Sequence, residues 1–183
     1  MPLNHTSKYA ELTDEQFALI GKLVIEWSNI EFLLGVLLSR LLFTPEFLGR
    51  TYSDEMSAAR IQSALKKALD IHRHRYGSRV IPTETLDEIL QLNADIEQFR
   101  GLRNRFSHFC WSRSNDDEIF GSGLSGFFPP SKRIDKDSMT ITVSELKEAY
   151  RNAYQLVERL SGIIRQLHEI NEKESLTTAL RGT

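Results

Sequence analysis

Apolar residues recur every three or four positions along most of this chain, and that spacing commits it to helices packed on helices. In the first such run, Phe17, Ile20, Val24, Trp27, Leu34, Leu38 and Leu41 alternate steps of three and four. They fall on one stripe of an α-helix of about 3.6 residues per turn. Thr13-Asp14-Glu15-Gln16 supplies the start, a hydroxyl cap with an amide three residues later. Phe43-Thr44-Pro45 supplies the stop, because proline cannot continue a helix. Ser53-Asp54-Glu55 opens a second helix through Ile61, Leu65 and Leu69, which stops at Tyr76-Gly77-Ser78. Pro82-Thr83-Glu84 begins a third, with Ile89, Leu92, Ile96, Phe99, Phe106 and Cys110 on one stripe.

The composition then changes. Residues 112–141 carry Asn115-Asp116-Asp117, Gly121-Ser122-Gly123, Gly126 and Pro129-Pro130, all turn chemistry. The short pieces Glu118-Ile119-Phe120 and Met139-Thr140-Ile141 can pair as a small hairpin, or the whole segment is loop. Thr142-Val143-Ser144-Glu145 is a second capping box. It starts a last helix with Leu146, Tyr150, Tyr154, Val157, Leu160, Ile164 and Leu167 in register. The expected fold is all-α: a four-helix up-and-down bundle with a loop or β-hairpin insertion before the last long helix. One domain is expected over residues 1–183, with its core at about 13–171, the insertion at 112–141 and a fraying polar tail at 172–183.

Several functional classes drop out. A formal net charge of −2 argues against a protein that coats nucleic acid, although it leaves room for a local basic patch. Cys110 is the only cysteine, so neither an intramolecular disulfide nor a cysteine-rich metal site can form. No apolar run reaches about 18 residues, and Met1-Pro2-Leu3-Asn4-His5 lacks the charged start of a secretory signal. A cytoplasmic protein without membrane partner, metal or cofactor is expected.

The candidate site is Phe99-Arg100-Gly101-Leu102-Arg103-Asn104-Arg105-Phe106-Ser107-His108, where charges are interleaved with core residues. At about 100° per residue, Arg100, Arg103, Asn104, Ser107 and His108 fall within about 140° of arc. Asn104 and His108 are one turn apart, as are Arg103 and Ser107. Arg103 also occupies a place in the apolar stripe, where a guanidinium needs an acceptor or a cleft. The first helix offers the acceptor: position 31 of its stripe is Glu31, a carboxylate amid apolar residues. Glu31 is therefore expected to bind Arg103 or to orient His108.

Arg103-Asn104-Arg105-Phe106-Ser107-His108 resembles the Arg-Asn-x-x-x-His signature of the HEPN (higher eukaryotes and prokaryotes nucleotide-binding) superfamily, near the end of the third helix. Trp27-Ser28-Asn29-Ile30-Glu31, midway along the first helix, adds to the likeness, which covers about residues 13–110 and 142–170. The insertion at 112–141 has no counterpart in a minimal four-helix version. The resemblance implies a helical bundle, often dimeric with a site composed from two copies, and a metal-independent endoribonuclease of toxin or defence type. It implies His108 as general acid or base at an RNA 2′-hydroxyl, Arg103 on the scissile phosphate, and Asn104 orienting one or the other. Glu31, Arg100 and Ser107 would support them. RNA, a second copy and an antitoxin protein are the implied partners. It equally implies a non-catalytic, nucleotide- or partner-binding helical module as the alternative.

Plainer readings stand beside these. His108 can cap a helix C-terminus, where cations are favoured, and Arg103 can be a structural partner of Glu31. Arg100 and Arg105 read as surface residues, Trp27 as core and Cys110 as a small buried hydrophobe. Lys66, Lys67, Arg73 and Arg75, with His72, His74 and Arg79, form a basic cluster. It either complements a helix dipole or touches an RNA backbone. His72 and His74 diverge on a helix, which argues against a shared metal.

Overall fold

The structure is a computed structural model that describes residues 10–123 and 138–171. The readings of Met1–His5, Gly126, Pro129-Pro130 and the tail 172–183 lie outside the described residues. Five α-helices are described: α1 (Asp14–Leu41), α2 (Glu46–Ser53), α3 (Ala58–Ile71), α4 (Thr83–His108) and α5 (Val143–Gln166). A three-stranded antiparallel sheet, β1 (Cys110–Asn115), β2 (Glu118–Ser122) and β3 (Ser138–Thr142), precedes α5. No helix among the described residues is long and apolar enough to cross a membrane. The chain divides into two compact units, one within Met1–Trp27 and Phe99–Tyr154, the other within Ser28–Gln98 and Gln155–Thr183.

In the first unit both expected capping boxes are closed. Thr13 N–H donates to Gln16 Oε1 at 2.9 Å, and Gln16 N–H returns to Thr13 Oγ1 at 3.2 Å. Gln16 goes further. Its fully buried amide donates from Nε2 to the carbonyls of Asn115 and Asp116, both at 3.0 Å, and so pins the β1–β2 turn to the start of α1. At α5, Thr142 N–H and Oγ1–H both donate to Glu145 Oε2 at 2.8 Å. Those two bonds hold the Glu145 carboxyl below the usual glutamate range.

The expected hairpin exists, with Ile119 opposite Ile141, and both side chains enter the core beside Leu19, Leu23, Phe106 and Leu146. A third strand was not expected. Cys110, placed above on the third helix's buried stripe, instead opens β1 and is exposed. The helix ends at His108, and Trp111 crosses β2 opposite Gly121. The Trp111 ring stacks on Phe106 at 5.2 Å and donates from Nε1 to the Phe106 carbonyl at 3.3 Å, fastening the strand to the helix it leaves.

Along α1 the buried line is Gln16, Leu19, Leu23, Trp27, Ile30, Leu34, Leu37 and Leu41, whereas Phe17 and Val24 are exposed. In its first half the core-facing stripe is thus displaced by one residue, about 100°, from the expected one. Glu31 consequently flanks the buried line next to Ile30 and is half-buried.

The second unit packs Leu34, Leu37, Leu65, Leu69, Ile89 and Leu92 into its core. The extra helix α2 approaches α1 closely because Gly49 has no side chain; a Cβ there would strike Ser39. Ser53 therefore ends α2 rather than opening the next helix, and α3 begins after Ser57. Gln62 and Asn93 exchange amide-to-backbone bonds between α3 and α4, at 3.0 and 3.4 Å. Asp95 accepts from Arg159 at 2.7 Å, and that bond holds its carboxyl below the usual range. Phe43 adopts φ of +51°, so α1 ends in a left-handed residue where glycine is the usual choice.

Candidate functional site

The last turns of α4 belong to the first unit and carry the Arg-Asn-x-x-x-His residues. Phe106 is buried, while Phe99 and Leu102 pack half-buried against the same core, so this end of the helix is held along one side. Arg103 is half-buried, with its guanidinium carbon 5.3 Å from the centre of the buried Trp27 ring. Trp27 in turn meets Phe99 at 6.0 Å. A cation over an indole face is attracted by the ring quadrupole. Arg103 Nη1 also donates to Asn104 Oδ1 at 3.2 Å. Trp27 is thus a core residue, as expected, and a platform for Arg103 as well.

His108 is exposed as the final residue of α4, and among the described residues it has no hydrogen-bond or ion-pair partner. Asn104 and Ser107 are exposed and Arg100 is half-buried. Arg105, read as a surface residue, is half-buried and points Nη1 at the Met139 sulfur, 3.8 Å away. Arg103 and Asn104 are thus brought together, and Asn104 and His108 share the solvent side one turn apart. Glu31 belongs to the second unit. A 250 Å³ hollow lies between the sheet and α5, lined by Phe99 and Leu102 but by none of Arg103, Asn104 and His108.

In the second unit, Lys66 pairs with Glu97 at 2.8 Å, and Arg73 pairs with Asp87. Two of the four basic-cluster residues are therefore interhelical ties. Lys67 and Arg75 are exposed and have no ion-pair partner among the described residues. The dipole reading of the cluster changes too, because α3 ends at Ile71 and His72–Tyr76 form a π-helical turn. His72 is buried and must donate from Nε2, since its partner at 2.8 Å is the Leu41 carbonyl.

A groove of 480 Å³ between α1 and α5 of the first unit was missed from sequence. Lys22, Lys147 and Arg151 line it beside Tyr150 and Tyr154; Lys147 is paired there with Glu15 at 2.7 Å, and Lys22 Nζ lies 5.4 Å from the Tyr150 ring centre. Cations interleaved with aromatic faces suit a single nucleic-acid strand, through backbone charge and base stacking. The signal was readable, since Lys147, Tyr150, Arg151 and Tyr154 follow helical spacing on one face. Among the described residues, no group of three His, Cys, Asp or Glu side chains could hold a metal ion. No family model, curated protein or solved structure matches this chain.

Proposed function

We propose that this protein is a HEPN-like endoribonuclease that works without a metal in the cytoplasm, as a toxin or defence element. The observation that carries the reading is the held Arg103–Asn104 pair on the same helix end that presents His108 to solvent. On a regular helix, positions 103 and 108 lie about 9 Å apart between Cα atoms, a span that a ribose and its 3′-phosphate bridge. His108 takes the proton from the 2′-hydroxyl, the 2′-oxygen attacks phosphorus, and the 5′-oxygen leaves with a proton from a second acid. Arg103 holds the non-bridging oxygens as charge builds on them. The products are a 2′,3′-cyclic phosphate and a 5′-hydroxyl. A second copy of the chain supplies the second histidine. The exposed Phe17, Val24 and Ile25 of α1 are the apolar surface such a copy would cover. In this reading α1, α3, α4 and α5 are the four helices of an up-and-down bundle, the sheet is its insertion, and the bound antitoxin covers the site.

A second reading also has an observation behind it. Arg103 lies on Trp27, and His108 lacks an orienting partner among the described residues, which suits a non-catalytic nucleotide- or partner-binding module. One experiment separates the two. Purified wild type, His108→Ala and Arg103→Ala are incubated with mixed RNA in EDTA, and the product ends are read. Losses of about 10²–10⁴-fold for His108→Ala and 10²–10³-fold for Arg103→Ala are expected, with cyclic phosphate ends from the wild type. Equal cleavage by wild type and His108→Ala, or none by either, removes the catalytic role.

A further inference from the structure

We infer that the second unit contains a binding pocket for a small monocarboxylate with an apolar body, built around the buried Arg40. Arg40 sits in the last turn of α1 with its side chain only 10% exposed. Its Nη2 contacts two carboxylates, Glu169 at 2.9 Å and Glu46 at 3.4 Å. Its Nε and Nη1 are buried and have no hydrogen-bond partner among the described residues. An arginine can offer five donors in a planar fork, and leaving buried ones unmatched costs free energy that an acceptor in the right place recovers.

That place exists. Arg40 lines a cavity of 170 Å³ whose other walls include Phe43, Val80, Ile81 and Leu167. The volume and the apolar walls suit a benzoate-sized or short aliphatic body, while the guanidinium takes its head group. The first turn of α4 also opens here through Pro82 and Thr85, bringing the positive end of that helix.

Charge decides which head group fits. Arg40 is already faced by two carboxylates, and Gln166 brings the negative end of α5 to the same cavity, whose lining also includes the His168 imidazole. A dianion such as phosphate would add net negative charge. A monocarboxylate instead exchanges with the Glu169 carboxylate, whose side chain is 65% exposed and so weakly held, and leaves the local balance unchanged. With Glu169 released, the guanidinium can turn its fork to the ligand for a bidentate contact that Glu169 does not make. Binding therefore frees Glu169, just beyond the end of α5.

The probes are benzoate and hexanoate, with benzamide as the neutral isostere and inorganic phosphate as the dianion, titrated into the full chain by calorimetry to about 10 mM. Saturable binding on the order of 0.1–1 mM is expected for the carboxylates, at least tenfold weaker for benzamide and phosphate. Glu169→Gln should tighten benzoate binding several-fold, because it removes the competitor. Arg40→Gln should abolish binding. Because Arg40 also ties Glu46 and Glu169, Val80→Trp is the companion variant: it fills the cavity mouth without touching the guanidinium and should weaken binding at least tenfold. No saturable binding by the wild type overturns the proposal. So does benzoate binding that neither Glu169→Gln nor Val80→Trp alters.

Discussion

Gly121 is expected to be irreplaceable for a reason that a single pair of variants can expose. A Cβ at Gly121 would lie 2.7–2.9 Å from three carbons of the Trp111 ring, where carbons ordinarily stop at about 3.5–4.0 Å. The ring would have to retreat by nearly an ångström, and two contacts oppose that: the stack on Phe106 and the Nε1–H bond to the Phe106 carbonyl. Losing the stack costs about 0.5–1.5 kcal/mol, and losing the hydrogen bond about 1 kcal/mol. Against this, alanine restricts the unfolded chain and returns about 0.4–1 kcal/mol. Gly121→Ala should therefore destabilise the protein by about 1–2 kcal/mol. Its backbone is not in the left-handed region, so strain adds nothing to this sum. Urea unfolding followed by far-UV circular dichroism measures the change, since fluorescence would be confounded by the ring itself. In a Trp111→Leu background the obstruction is gone, and Gly121→Ala should turn neutral or stabilising. If Gly121→Ala is neutral in the wild type, or equally harmful without the indole, the glycine is not there to seat Trp111. The end of α4, with His108, would then be fastened some other way.

Gln16→Glu keeps the acceptor that caps α1 but turns a carboxylate oxygen toward the Asn115 and Asp116 carbonyls. With Gln16 fully buried, a loss of about 2–4 kcal/mol is expected in urea unfolding, and a change under about 0.5 kcal/mol would refute the tie. Glu145 carries a pH signature. Its folded-state pKa lies below the unfolded one, so its stabilisation is complete above about pH 4.3 and is lost as pH falls through the depressed folded value. Glu145→Ala should give a flatter fall in urea midpoint between about pH 5 and pH 2 than the wild type; parallel curves would count against the cap.

What local sequence determines is what depends on neighbours three or four residues away. Both capping boxes, Thr13–Gln16 and Thr142–Glu145, are legible because donor and acceptor lie within one turn. The Ile119–Ile141 pairing was legible as two short apolar pieces flanked by turn residues. In the candidate site, Phe106 as the packed side of α4 and Asn104 with His108 on its polar side were likewise readable from a period of 3.6.

Tertiary packing decided the rest. α1 is apolar around much of its circumference, so Phe17-Ile20-Val24 and Leu19-Leu23 both make plausible stripes. Only the partners that cover Leu19 and Leu23 select between them, and that choice moves Glu31 to the flank. β1 was invisible because Cys110, Ser112, Arg113, Ser114 and Asn115 are all exposed, which leaves no alternation to detect. What makes it a strand is its pairing with β2 and the grip of Trp111 on Phe106. Arg103 shows the division most plainly. Sequence placed a cation in an apolar stripe and required something to receive it, and the face of Trp27, 76 positions away in the chain, is one group the fold brings to it. Helical periodicity encodes which side of a segment seeks cover; what supplies the cover depends on chain closure over long separations, which no local pattern records.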